Sequence, residues 1–158
     1  MIMGYILDFV FYYPLMMSFV WMSGALIFIF FREKQISGRP ELKEHPLVSV
    51  LIPCHNEQDC IEDTIEYLNY QTYPNIEIIA IDDASKDSTY EILRRLQKTH
   101  KNLRVLRMTS NQGKGTGLNM AAMISRGEFL VGIDADALLD PEAIEWFMWH
   151  FLNSPRVG

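Results

Sequence analysis

An α/β fold with a mainly parallel sheet, preceded by one transmembrane helix, is the class predicted by this 158-residue sequence. Three observations predict it. Residues 9–31 carry no charged side chain and are bracketed by Asp8 and Arg32. Beyond residue 46, short apolar runs alternate with stretches at helical spacing, the pattern of strand–helix crossover units. Each apolar run ends in polar or ionisable residues, and ligands of such sheets bind outside the C-terminal ends of the strands.

The elements follow in chain order. About twenty apolar residues in helical geometry cross the hydrocarbon core of a bilayer, so residues 9–31 suffice. Pro14, Ser18, Ser23 and Gly24 are better tolerated in a membrane helix than in a soluble one, and Tyr12 and Tyr13 suit the headgroup region. A cleaved signal peptide would instead begin with basic residues, and MIMGYILD contains none. Arg32, Lys34, Arg39 and Lys43 follow the span and no basic residue precedes it. The positive-inside rule therefore predicts a cell-membrane protein with its N-terminus outside and the remainder cytoplasmic. The expected organisation is 1–31 for the short N-terminus and helix, 32–46 for a cytoplasmic linker, and 47–158 for the globular part.

In the globular part, VSVLIP (48–53) reads as a strand buried on both faces. Residues 57–70 place Ile61, Ile65 and Leu68 at helical spacing, with Asn56 as the expected N-cap. IEIIAI (76–81) is the second strand. Ser88-Thr89-Tyr90-Glu91 matches a capping box and opens a helix bearing Ile92, Leu93 and Leu96. A third strand is expected at 103–107, a helix near 116–125 and a fourth, buried strand at 128–133. Asp140-Pro141 then supplies an N-cap and a first-turn proline for a helix to about residue 152. Its Trp146, Phe147, Trp149 and Phe151 read as core or membrane-proximal packing.

Charge narrows the partners. The net charge of −6 argues against nucleic acid. Arg94, Arg95, Lys98, Lys101, Arg104 and Arg107 read as a solvated helix face and the turn after it, with anionic headgroups as the second reading. Cys54 and Cys60 lack metal-site spacing and are expected as reduced thiols.

The strand exits are Pro53-Cys54-His55-Asn56-Glu57, Asp82-Asp83-Ala84-Ser85-Lys86-Asp87, Asn111-Gln112-Gly113-Lys114-Gly115 and Asp134-Ala135-Asp136. Singly they are weak signals. Asp-Asp after a strand is ordinary turn chemistry, Asp-x-Asp recurs by chance, and His55 could be a capped loop residue. The loop at 111–117 has neither P-loop nor dinucleotide-fingerprint spacing. The paired carboxylates of Asp134 and Asp136 call for a compensating cation, because like charges at a buried strand end repel and are costly to desolvate.

Taken together, these four motifs resemble the inverting processive glycosyltransferases of family 2. The membrane segment, NQGK, DADALLD and PRVG are most similar to bacterial poly-β-1,6-N-acetylglucosamine synthases. The resemblance implies a GT-A nucleotide-sugar-binding fold, incomplete at the C-terminus, that transfers from a UDP-sugar with Mg²⁺ or Mn²⁺. It implies that Asp136 ligates the metal, that Asp134 contacts ribose or the metal shell, and that Asp83 accepts from the uracil imide. His55 would pack on the uracil, Pro53 and Glu57 would shape the pocket, and Lys114 would pair with the diphosphate. The implied partners are a growing polysaccharide or lipid acceptor, the bilayer and a small accessory membrane subunit. The general base and a QxxRW motif of the family do not occur in the sequence, so the base is expected beyond Gly158. Transfer of one sugar to a polyprenyl phosphate and donor binding without catalysis stay open. A receiver-type signalling domain is disfavoured, since its third strand would end in a phospho-accepting Asp and here Met108 and Thr109 follow.

Overall fold

The structure, a computed structural model, describes residues 2–31 and 41–153. Arg32, Lys34, Arg39, most of the expected linker and the terminal PRVG lie outside the described residues.

Two compact units make up the chain, residues 1–39 and 40–158. The first contains α1 (Ile2–Phe31), which is long and apolar enough to cross a membrane over Gly4–Phe31. Its described side chains are exposed almost throughout, so within the unit the apolar surface has no protein cover. Pro14 lies inside the helix, and the Ser18 hydroxyl one turn later donates to the Pro14 carbonyl at 2.8 Å. That bond keeps a polar hydrogen satisfied on the helix itself, as an apolar solvent requires.

The second unit runs β1 (Val48–Cys54), α2 (Ile61–Asn69), β2 (Ile76–Asp82), α3 (Thr89–Thr99), β3 (Leu103–Arg107), α4 (Lys114–Ile124), β4 (Phe129–Gly132) and α5 (Ala143–Asn153). The sheet order is β3-β2-β1-β4 and every pairing is parallel. Alternation along β1 explains its unbroken apolar run. Val48, Val50, Ile52 and Cys54 join a core with Ile61, Ile65 and Leu68 of α2, Leu93 and Leu96 of α3, and Ile144 and Met148 of α5. Leu51 belongs to a second core, with Ile79, Ile81 and Ala121 of α4. Both faces are covered, as parallel sheets require.

Several local expectations need correction. Asn56 is not an N-cap: it is left-handed (φ 59°), and the helix begins at Ile61 after a turn in which Ile61 N–H donates to the Glu57 carbonyl. Ser88 makes no capping bond; Asp87 Oδ1 accepts from both N–H and hydroxyl of Thr89 instead. Burial works against the ionised Asp87, but the bonds from Thr89 and from Gln58 N–H hold its pKa below the usual range. Arg104 and Arg107 are strand residues, not part of a solvated helix face. Arg104 binds Glu77 and the Ile124 carbonyl, and Arg107 lies 3.1 Å from Asp82 and 4.5 Å from the centre of the Tyr90 ring. In α5 the buried positions are Ile144, Glu145 and Met148, whereas Phe147 is exposed and Trp146, Trp149 and Phe151 are half-buried. Asp140 accepts from Glu142 N–H at 2.9 Å in the turn before α5, which begins at Ala143 and not at Pro141.

β4 departs most from expectation. It pairs only with β1 among the described residues, and its side chains are half-buried or exposed. Among the described residues, the carboxylates that follow it are exposed.

Candidate functional site

All seven residues singled out from the sequence line one cleft at the strand exits. Pro53, His55, Glu57, Asp83, Lys114, Asp134 and Asp136, with Cys54 and Ala135, enclose about 300 Å³. Parallel pairing produces this convergence, because it aims the C-terminal ends of β1, β2 and β4 the same way.

The Asp-Ala-Asp turn is shaped by its middle residue. Ala135 is 4% exposed and packs in the core, which leaves Asp134 and Asp136 exposed on either side. Thr64 of α2 pins the turn by donating to the Ala135 carbonyl at 2.7 Å. Lys114, at the start of α4, forms an ion pair with Asp134. Thus the compensating cation in this structure is a lysine ammonium.

Asp83 is 3% exposed. Its Oδ1 accepts from Gln112 N–H and its Oδ2 from Gly113 N–H, both at 2.8 Å, so it anchors the loop that carries Lys114. Gly113 occupies a left-handed conformation there (φ 86°), which glycine adopts without steric cost. Asp83 N–H in turn donates to the Cys54 carbonyl. The adjacent Asp82 is fully buried: its Oδ1 accepts from Ser85 N–H, while Arg107 neutralises its Oδ2 without hydrogen-bond alignment. Asp82 is a structural acid and Asp83 is the one that reaches the cleft.

The His55 ring lies 2.8 Å from the Asp83 carbonyl through Nδ1 and 3.1 Å from Asn56 Nδ2 through Nε2. Asn111 Nδ2 is 3.2 Å and 3.1 Å from the two ring nitrogens. An in-plane approach at those distances would collide with Cε1, so the Asn111 amide covers one face of the ring.

Both cysteines are free. Burial, followed by the nearby Asp82, pushes the Cys54 thiol up; burial and a hydrogen bond to Glu57 push Cys60 up to about 11. Both stay protonated near neutrality, so neither supplies a thiolate nucleophile. Among the described residues no three His, Cys, Asp or Glu side chains cluster as a metal cage. Among the described residues, a cation between Asp134 and Asp136 would find two carboxylates. That suits a hard ion such as Mg²⁺, which keeps waters and takes substrate phosphate oxygens.

Sequence reasoning missed Thr64, and it named Ser85 and Asn111 at the strand exits without their partners Asn56 and His55. Ser and Asn in strand-exit loops signal side-chain-to-backbone bonding, but their partners lie tens of residues away in the chain.

A parallel sheet with a carboxylate-lined cleft at its strand exits defines an α/β domain with its ligand crevice at the C-terminal edge of the sheet. The model of glycosyl transferase family 2 matches residues 49–157, and the chain belongs to that family. It is 32% identical over 158 residues to a poly-β-1,6-N-acetyl-D-glucosamine synthase of Staphylococcus epidermidis, covering 98% of this chain and 38% of the relative. The synthase of Staphylococcus aureus strain MSSA476 is 30% identical over 155 residues, covering 96% of this chain and 37% of that one. The chain thus spans under two fifths of the length of these relatives. Among solved structures, S. aureus TarS 1–349 in complex with UDP superposes with a TM-score of 0.60 at 27% identity, covering 65% of this chain and 31% of TarS 1–349. The mannosyltransferase PcManGT of Pyrobaculum calidifontis, in complex with GDP-Man and Mn²⁺, gives 0.70 at 31% identity, covering 85% and 42%. The fold is GT-A-like, and a neighbour that holds Mn²⁺ is consistent with divalent-metal use.

Proposed function

We propose that this chain is the donor-binding part of a membrane glycosyltransferase that takes a UDP-sugar, UDP-N-acetylglucosamine above all, and extends a β-linked exopolysaccharide with inversion. The observation that carries the reading is the convergence of Asp83, Lys114, Asp134 and Asp136 on one cleft beside His55. The names of the relatives support the polymer, and a TarS structure in complex with UDP-GlcNAc supports the donor.

Each residue then has a task. Asp83 spends one lone pair of each oxygen on Gln112 and Gly113 and keeps acceptor capacity for the uracil imide N–H. His55 offers a ring face to the base, and Pro53 and Glu57 bound the pocket. Asp134 and Asp136 hold Mg²⁺ or Mn²⁺ together with the diphosphate, and the bound ion would neutralise charge on the departing diphosphate. Lys114 leaves Asp134 for the diphosphate as a point charge. The base that deprotonates the acceptor is assigned to the protein beyond Gly158. The polysaccharide or lipid acceptor, the bilayer around α1, a cytoplasmic globular unit and an accessory membrane subunit complete the proposal.

Calorimetry on the full chain in detergent tests it. UDP-N-acetylglucosamine should bind with Mn²⁺ present and lose at least about tenfold in affinity under chelator, about 1.4 kcal/mol. Asp136→Ala should abolish that dependence. Equal binding with and without metal removes the ion from the scheme, and tighter binding of GDP-mannose would transfer the base assignment to guanine.

A further inference from the structure

The loops after β1 and β2 are laced together by a run of side-chain-to-backbone bonds that the assigned roles leave unused. Asn56 N–H donates to Ser85 Oγ at 3.0 Å, and Lys86 N–H donates to Asn56 Oδ1 at 2.9 Å. Glu57 N–H donates to Thr89 Oγ1 at 2.8 Å and Gln58 N–H to Asp87 Oδ2 at 3.2 Å. The two residues that begin this lacing are strained. Asn56 (φ 59°) and Ala84 (φ 54°) are the non-glycine residues with positive φ among those described, a conformation that asparagine tolerates and alanine disfavours. Strain of that kind persists only where surrounding contacts over-determine it.

The hydrogen positions along this lacing are forced. A backbone N–H can only donate, so the bond from Lys86 N–H fixes which end of the Asn56 amide is oxygen. The Asn56 NH₂ then faces His55 Nε2 at 3.1 Å, which makes Nε2 the acceptor. A carbonyl can only accept, so His55 Nδ1 carries the hydrogen and donates to the Asp83 carbonyl at 2.8 Å. The Asp83 carbonyl therefore fixes the tautomer of His55, while the Asn56 side-chain amide holds the ring through Nε2 and, through Lys86 N–H, holds the turn that follows Asp83.

We infer that Asn56 is a specificity-determining positioning residue: it aligns His55 and Asp83 so that the cleft accepts uracil and rejects cytosine. This rests on the reading of the cleft as a UDP site. The two bases share size and ring face and differ along one edge: N3 is a donor in uracil and a bare acceptor in cytosine, and C4 carries a carbonyl in uracil and an amino group in cytosine. A carboxylate discriminates between them only while it is held at N3, since a small displacement admits water and removes the penalty.

The test compares UDP, CDP and inorganic pyrophosphate binding, each with Mn²⁺, on the full chain in detergent. Asn56→Ala and Asn56→Gly should each lower the UDP-over-CDP preference by at least about tenfold, with pyrophosphate affinity within about twofold of wild type. Asn56→Gly keeps the left-handed backbone, so the same loss there traces to the amide and not to strain. Asn56→Asp retains an acceptor for Lys86 and lacks the donor to His55, and should fall between. The ¹⁵N shifts of the His55 ring should report Nε2 as an unprotonated acceptor in wild type and a protonated Nε2 in Asn56→Asp. An unchanged preference in the alanine and glycine variants, or a parallel fall for all three ligands, overturns the assignment. Wild-type protein that fails to prefer UDP would strike the functional reading; a selective wild type with unaffected variants strikes Asn56 alone.

Discussion

Glu77 shows what one buried side chain does for the whole sheet. It is 7% exposed, near the strand end opposite the cleft, and burial alone would favour its neutral form. Ser49 Oγ and Arg126 N–H each donate to Oε1 at 2.6 Å and Arg104 lies 3.4 Å from Oε2, and together they hold its pKa below the usual carboxylate value. The network joins β1, β2, β3 and the entry to β4. It is closed by Gly127 N–H on Ser49 Oγ, where an added Cβ would stand 2.5 Å from that oxygen. A depressed folded-state pKa stabilises above the unfolded value of about 4.3, and the contribution is lost as pH falls through the folded value. Glu77→Gln should therefore cost about 1–3 kcal/mol at pH 7. In urea titrations the gap to wild type should narrow as pH drops below about 4. A gap independent of pH would mean that the carboxylate's charge is not what matters.

At the scale of elements, α1 and β4 show the same apolar composition serving different ends. The exposed apolar girth of α1 is compatible with a transmembrane helix, whereas β4 is apolar because one face joins the core. As proposed, the basic residues that follow α1 in the sequence assign the globular unit to the cytoplasmic side. In a Cys60→Ser background, cysteines introduced at Tyr5 and Glu41 should react with an impermeant thiol reagent from opposite sides of the membrane. Labelling at position 41 from outside intact cells would reverse the orientation. Cys54 is 1% exposed and should stay silent in the assay.

For the molecule as a whole, the proposed roles occupy the cleft aspartates: Asp83 serves the 111–114 loop and the base, and Asp134 and Asp136 serve the cation. Glu57, which also lines the cleft, bounds the pocket, so none of these carboxylates is assigned as the base that an acceptor hydroxyl needs. Residues 1–158 alone should bind UDP-N-acetylglucosamine yet make no polymer, as judged by incubation of their membranes with radiolabelled donor and Mg²⁺. Hydrolase-sensitive product would return one of these three aspartates to the role of base.

The sequence by itself determined the order and type of the elements, because β-branched runs buried on both faces and helices with one apolar side are local patterns. It also determined the cleft: residues at parallel strand exits must share one edge, and Pro53, His55, Glu57, Asp83, Lys114, Asp134 and Asp136 do. Tertiary structure decided which aspartate of the Asp82–Asp83 pair reaches the cleft, since that depends on Arg107 from β3 and on Gln112 and Gly113. It decided that β4 lies beside β1, because strand order is a property of pairing and not of composition. It also gave Asn56 to His55 and Ser85 instead of to a helix cap. An asparagine bonds whichever partner is brought within reach, and Ser85 and Lys86, some thirty residues on, are within reach only once β1 and β2 have paired.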